Sequence, residues 1–488
     1  MLKAATWHAV AAATCLLVTG CAVGPDFQRP DIDAVPAAFA RQAPEPGPGA
    51  AALTITDVRD AAFWRQFGDE ELTALVQQAL RSNHDVAGML ARLQAAESML
   101  SLVRKDRLPT VTLNGQLTQQ RLSADQLGAG QAPSTRSHSV GLAASWELDL
   151  VGRVRRSIEA QEAQTQASRA DLVALQVAIA VQVADTYTQL RGTQLRLKIV
   201  QTHAQNQQHT AELVARRLHA GMGTDLDARR SVALLRSTQA RVPELQAQVA
   251  QLQHRLAVLS GLSPEHLIAQ LEEIKPLPII PPSVQPDTPA NVLRRRPDVA
   301  AAEARLHAAT ARIGVATSDL FPRLSIGGLL GSFAFEGSRL FDADRATRQV
   351  VLGIDWSFLD VGRVRARIAA SEAGAQEALA QYQQTVLLAL EETENALVRA
   401  HRSQETWRAQ LAAMQQRDEA AHLAERMYRG GTLSMFEVLE AQRDQLTTQE
   451  ATADSQISAV RASLALYATL AGGWPGKPAR PVTAQTGG

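Results

Sequence analysis

Two places in the chain carry reactive or charged groups at spacings with chemical consequences. The first is Val18-Thr19-Gly20-Cys21, which follows Lys3 and an apolar stretch from Ala9 to Thr19. That stretch is too short to span a bilayer as a helix and suits the core of a secretory signal. Small residues ahead of a cysteine admit a lipoprotein signal peptidase, and Cys21 supplies the thiol that is acylated. Cys15 lies in the removed segment, so the mature chain keeps one lipidated cysteine and no thiol for a disulfide, a metal or a nucleophile. Several acyl chains, at ~0.8 kcal/mol per buried methylene, anchor it stably. Ala22 rather than Asp follows, which favours an outer-membrane address in a Gram-negative bacterium. The second place is Glu437 and Glu440, three apart and so on one helix face, with Arg443 three further on as a counter-charge. Acidic residues in a first helical turn also complement the helix dipole wherever they occur.

Other chemistry is absent. No Ser/His/Asp order, HExxH, Walker or dinucleotide motif occurs, so neither an enzyme nor a bound cofactor or metal is expected. His203, His209 and His219 are too widely spaced for a metal site and are expected to face solvent. Met222, Met427 and Met435 lie near two glycine turns, where packing or partner contact explains them better than soft-metal passage. Lys plus Arg and Asp plus Glu balance at 49 each, so no long-range field marks a nucleic-acid binder. Hydrophobic residues make up 45% and aromatics only 4%, a composition suited to long Ala- and Leu-rich helices.

The elements that must position these groups come in two copies. VGRVR occurs at Val151–Arg155 and again at Val361–Arg365, with Trp146 matching Trp356 and Pro109 matching Pro322. The copies span 69–274 and 291–472. They are flanked by a signal peptide (1–20), an extended N-terminal segment (21–68), a Pro-rich linker (275–290) and a tail (473–488). Each copy predicts a helix, two strands, a very long helix and a return helix. The first helix is expected from Asp69 to about Arg107, stopped by Pro109. Val111, Leu113, Gly115 and Leu117 then alternate with Thr112, Asn114, Gln116 and Thr118, a strand with one apolar and one polar face. Val140 to Trp146 predicts its partner, and Leu324 to Leu330 with Val350 to Trp356 repeats the pair.

Strands of about 10 residues suit either a soluble hairpin or a tilted membrane crossing. The lipid anchor and a Trp closing each second strand, Trp146 and Trp356, where an interfacial girdle would sit, favour the membrane. Four strands cannot close a barrel, and lipid does not tolerate open edges, so this reading requires a homo-oligomer. From Val361 to Gly430 no proline occurs, about 105 Å if one continuous helix. Within it Val386, Leu390, Thr393, Leu397, Ala400, Gln404, Trp407, Leu411 and Met414 form a heptad seam. The first copy has a weaker one from Gln176 to Ala204. Return helices follow Gly221 and Gly223 to about Ser260, and run from Ser434 to about Ala471. Thr224 and Ser434 are expected N-caps, and Gly221 and Gly431 the reversal points.

The lipobox followed by VGPDFQRP, the two VGRVR copies and the glycine turns together resemble the TolC/OprM-like outer-membrane efflux proteins, in the lipoprotein branch that partners resistance-nodulation-division pumps. The resemblance covers nearly all the mature chain. It implies a mainly α fold with a small β part, in which three protomers give four strands each to a 12-stranded outer-membrane barrel continued by a long periplasmic α-barrel. It further implies a passive, gated duct that receives small amphipathic compounds from a periplasmic adaptor and an inner-membrane pump. Carried over by motif, Phe436, Glu437, Glu440 and Arg443, with Asp225 and Asp227 in the first copy, fall at the periplasmic gate. Gly221, Thr224, Gly431 and Ser434 fall at adaptor-contact tips. Leu433 departs from the pattern, since some members carry an arginine there, so any gate network differs at that point. Protein secretion and a non-channel coiled-coil envelope lipoprotein are the rival readings.

Overall fold

The computed structural model describes residues 22–30, 35–40, 62–126, 132–281 and 287–470. Cys21 and the signal segment lie outside them. The chain divides into two compact units, each drawn from three stretches. The first comprises 1–31, 92–169 and 301–383, and the second 32–91, 170–300 and 384–488.

The first unit holds the sheet. Strands β1 (Thr110–Arg121), β2 (Ser134–Leu148), β3 (Arg323–Ala334) and β4 (Ala346–Asp355) pair antiparallel in chain order. The predicted alternation sets the register: Leu113 lies opposite Leu142, Leu142 opposite Leu330, and Trp146 opposite Ile326, which in turn lies opposite Leu352. Cross-strand partners share a face, so these residues form one apolar surface, while Thr112, Asn114, Gln116, Ser139 and Gln349 fall on the other. The apolar face is exposed: Leu113 is 72% accessible and Val350 85%. Strand β2 is 15 residues long, more than the expected ten or so, and extends past β1 by Trp146 to Leu148.

In the first unit the VGRVR string of the first copy receives the N-terminal segment. The backbone N–H of Val23 donates to Val151 (3.0 Å), and Gly152 adopts φ +85° against Ala22, where any Cβ would lie 2.5 Å from the Ala22 Cβ. Buried Arg156 donates to the carbonyls of Val23 and Gly24 and to Asp26 (2.6 Å) and Glu159 (2.8 Å). Phe27 stacks on His307 at 4.5 Å. The VGPDF segment is therefore docked on the VGRVR turn and Arg156 of the first copy and, through Phe27, on His307 of the second. Gly362 of the second has nothing within 4 Å of a Cβ.

The long helices are as continuous as the missing prolines imply: α3 runs Arg153–His219 and α8 Val361–Arg429. Two expectations fail. The first helix is broken at Asn83 into α1 (Glu70–Ser82) and α2 (His84–Arg104), because the Asn83 side chain accepts from the amides of Asp85 and Val86 and caps a new start. The first return helix is interrupted at Ala240, giving α4 (Asp225–Gln239) and α5 (Arg241–Leu259). Pro243, in the first turn of α5, has no N–H to continue the ladder from the preceding turn. Its counterpart α9 (Met435–Leu470) has no proline and is unbroken. Two shorter helices, α6 (Pro289–Arg295) and α7 (Pro297–Thr317), follow the linker, so Pro289 opens a helix rather than ending the extended run.

In the second unit the first seam is buried from Gln176 to Gln194, with Ala180, Val183, Tyr187 and Leu190 fully so. The second seam is buried to Ala400 except at half-buried Leu390, and half-buried beyond. Gly192 sits where α3 meets Ile457 of α9; a Cβ there would lie 2.2 Å from the isoleucine side chain. Next to it Arg191, wholly buried, pairs with Glu71 and donates to the Glu273 carbonyl (2.6 Å). Lys275 lies 3.2 Å from the same Glu71 carboxylate, and the Tyr187 hydroxyl donates to Asp69 (2.9 Å). Burial pushes the Glu71 carboxyl up, but Arg191 and Lys275 outweigh it and hold it below its ordinary value.

Removing the buried cation with Arg191→Leu leaves the Glu71 carboxylate with only the half-exposed Lys275 as counter-charge and should cost about 3 kcal/mol, read as a fall in the thermal midpoint of the purified protein. Because the folded-state pKa of Glu71 is depressed, its stabilisation is complete above the unfolded value and is lost as pH falls through the folded one. Glu71→Gln should therefore lower the midpoint at neutral pH and converge with the unmutated protein in acid. A constant gap at all pH values would contradict the assignment.

Candidate functional site

Both hairpin turns close by the same backbone chemistry. Helix α3 ends at His219; the N–H of Gly221 (φ +67°) bonds to Leu218 O (3.0 Å) and that of Met222 to Arg217 O (2.9 Å). Helix α8 ends at Arg429; Gly431 (φ +77°) bonds to Tyr428 O and Thr432 to Met427 O, both at 3.0 Å. Each is the paired Schellman termination, which needs a residue at positive φ and so favours glycine. The first return helix starts with a reciprocal cap, the second with one half of such a cap. Thr224 Oγ1 accepts from the Asp227 amide (3.1 Å) and donates to the Asp227 carboxylate (2.7 Å). The Ser434 amide and hydroxyl both donate to Glu437 Oε2 at 2.8 Å.

The two tips share one small core of Val214, Ala424, Met435, Val438 and Leu439, flanked by Tyr428 and Leu433. The departure Leu433 thus packs against this core. Two arginines of the first copy lie over rings of the second: Arg217 is 4.8 Å from the Tyr428 centroid and Arg230 5.1 Å from that of Phe436, which is half exposed. Of the three methionines, Met435 is buried in the core, whereas Met222 is 67% accessible.

Every carboxylate carried over to the gate has a partner in its own chain. Asp225 pairs with Arg229 (2.7 Å), Asp227 with Thr224, Glu437 with Ser434 and Glu440 with Arg443. Glu437 is held below its ordinary pKa first by the Ser434 hydroxyl and then by the Ser434 amide. Glu440 and Arg443 share one face of α9, as a three-residue spacing allows, and both side chains reach solvent.

One cluster was not foreseen. His203 is not solvent-facing but buried, its Nε2 2.9 Å from Gln449 Oε1. Gln449 and Gln445 donate to Asp418 (2.8 and 3.0 Å), and Gln442 to Thr210 and Glu425, both at 3.2 Å. Gln442, Gln445 and Gln449 are spaced three and four apart, and that spacing was the available signal for a polar stripe turned toward α3 and α8. His209 and His219 are exposed. Among the described residues no group of three metal-ligating side chains comes together.

At the sheet, Trp146 Nε1 donates to the Arg107 carbonyl (3.1 Å) and Trp356 Nε1 to that of Leu320 (3.0 Å). Each indole thus ties the end of a second strand to the residues just before its partner strand begins, with part of the ring left accessible.

The sequence profile of the outer membrane efflux protein family matches residues 75–262 and 288–472. Each match holds a strand pair and a long helix with its return. The pyoverdine export outer membrane protein OpmQ of Pseudomonas putida is 33% identical over 422 residues, 85% of this chain and 88% of that one. Outer membrane protein OprJ of Pseudomonas aeruginosa is 30% identical over 461 residues, 94% of each. The solved outer-membrane channel OprN superposes with a TM-score of 0.83 at 37% identity, covering 93% of this chain and 99% of that one.

The cap geometry makes two checks. Thr224→Ala should destabilise the first tip by about 1 kcal/mol, seen as faster amide exchange at the start of α4. The depressed Glu437 carboxyl should protect the Ser434 amide fully above its ordinary pKa and release it only as pH falls through the lowered, folded-state value; in Glu437→Ala that pH dependence should vanish.

Proposed function

The chain belongs to the outer membrane efflux protein family, and from that premise we propose how its residues divide the work of a gated duct. It is an outer-membrane channel of a tripartite efflux system: a homotrimer that spans the outer membrane, extends into the periplasm, and pairs with a periplasmic adaptor and an inner-membrane pump of the resistance-nodulation-division class. Family members are channel proteins; that this chain does no chemistry of its own is part of the proposal.

The observation that carries the proposal is the two-faced sheet. A four-stranded sheet with an accessible row of Leu, Val and Ile on one face and mainly Thr, Asn, Gln and Ser on the other suits lipid outside and water inside. A soluble hairpin pair would cover its apolar face with its own chain. Trp146 and Trp356 then sit at one membrane boundary, where a half-exposed indole with a satisfied N–H is at home. Cys21 carries the acyl chains, one residue before a segment clamped to Val151 and Arg156. Gly221, Thr224, Gly431 and Ser434 shape the tips that meet the adaptor.

At the gate the groups have separate tasks. Asp225, Asp227 and Glu437 hold the tip conformation through their caps and ion pair. Phe436, half exposed beneath Arg230, supplies an apolar constriction. Glu440 would meet its own copies across the three-fold axis, and Arg443 neutralises it so that three carboxylates can approach. The duct has no energy source, so its part is conduction and gating. The cargo is small amphipathic compounds or drugs, delivered by the pump; OpmQ is named for pyoverdine.

Single-channel recording on purified trimers in planar bilayers tests this division. Arg443→Ala leaves Glu440 unneutralised and should raise conductance several-fold through mutual repulsion; adding Glu440→Gln should return it toward the starting value. Conductance indifferent to both changes would remove these residues from the gate. No conductance from any variant would favour a coiled-coil spacer lipoprotein.

A further inference from the structure

A cavity of about 560 Å³ in the first unit is lined by four arginines, Arg153, Arg312, Arg323 and Arg367, and only one carboxylate, Asp319. It lies where the end of α7 and the starts of α3 and α8 meet the foot of β3. Register fixes its side of the sheet. Arg323 lies two residues before Ser325 and six before Leu329, which is opposite Ala143, itself opposite Thr112; Arg323 is thus on the face of Thr112 and Asn114. The cavity therefore opens on the polar face, not on the apolar one.

The charges there are unequally spent. Asp319, 12% accessible, pairs with both Arg323 and Arg367, the latter at 2.9 Å, and so fixes two guanidinium groups side by side. Arg153 is bound by Glu147 through Nε (2.7 Å). Asp355 lies opposite Arg323 in the ladder. Arg312 makes no ion pair with any described residue and is exposed. A guanidinium has five N–H donors and no acceptor, so the pairs made here leave several donors unused by these carboxylates. Arg323 and Arg367 held on one carboxylate, with an unpaired Arg312 beside them, form a preorganised fork for an anionic group.

We propose that this cavity is an anion-binding station inside the passage, which takes the carboxylate, sulfonate or phosphate of a small solute at the foot of the barrel. The inference rests on the channel reading for its location, since only a water-filled interior would bring solutes to the polar face. Three copies in the trimer make a ring of arginines of the kind that favours anions in pores. Arg312, with no structural partner to lose, is the residue assigned to the ligand; Asp319 is a positioning residue for Arg323 and Arg367.

The trisulfonated dye pyranine, added to detergent-purified trimers at low salt and followed by fluorescence anisotropy, reads the site whether or not the gate is open, because it can enter from the barrel mouth. The unmutated protein should bind it with an affinity that falls as salt rises. Arg312→Glu should weaken binding about tenfold or more. Arg399→Glu, the same charge change at an exposed site on α8 outside the first unit, should leave it unchanged. Arg312→Lys should retain most of it. No binding by the unmutated protein, equal binding by Arg312→Glu, or equal loss in Arg399→Glu would overturn the proposal. Binding that survives in a protein that never conducts would count against the duct and not against the site.

Discussion

The constraint on which the rest depends is the hydrogen-bonding need of strand edges in lipid. A sheet of four strands in the order β1-β2-β3-β4 leaves one side of β1 and one side of β4 without ladder partners. In water those groups would be solvated; at the depth of an acyl chain each unpaired N–H or C=O costs several kcal/mol. The apolar residues on the accessible face place the sheet at that depth, so β4 of one protomer must find β1 of another until the sheet closes. Twelve strands from three chains is the closure the family adopts. Oligomerisation is thus a condition of the β part existing at all.

Once three copies are required, the helical part inherits the symmetry. A seam that is mostly buried from Val386 to Ala400 and half-buried from Gln404 to Met414 is what a helix shows when part of its partner surface lies on another chain. Inside one protomer the second unit is held by groups that tolerate no slippage: Arg191 on Glu71, Gly192 against Ile457, and the glutamine stripe on Asp418. Polar contacts of this kind cost desolvation and give little net stability, but they admit one register. At the tips the same economy of conformation is reached with backbone bonds and caps, where a local change at one turn can be made without unravelling α3 or α8.

Strands, long helices and glycine turns were legible because each rests on local physics that one sequence displays: alternation of two, a heptad of four and three, and positive φ. What escaped needed either a breaker of small weight or a distant partner. Pro243 was present in the sequence and should have marked the interruption near Ala240. Asn83 caps a helix from inside what looked like one segment, and asparagine is common enough in helices to hide that role. His203 was misplaced because its partner Gln449 is 246 residues away. Ser434-x-x-Glu437 is a capping-box pattern, and its local chemistry accounts for Glu437 before any gate does. The site was therefore half legible: motif spacing located the two glycine turns, while the partner that each nearby carboxylate takes within its own chain is visible only in the structure.

The central claim, that the free edges of β1 and β4 belong to each other on neighbouring chains, is open to covalent test. A cysteine at Asn114 on β1, combined in turn with one at Thr347, Gln349 or Val351 on β4, would be oxidised in native membranes and run on denaturing gels. The account predicts, for the pair in register, a ladder of monomer, dimer and trimer that stops at the trimer. Crosslinking confined to single chains, a ladder that ends at the dimer, or no crosslink for any pair would contradict it.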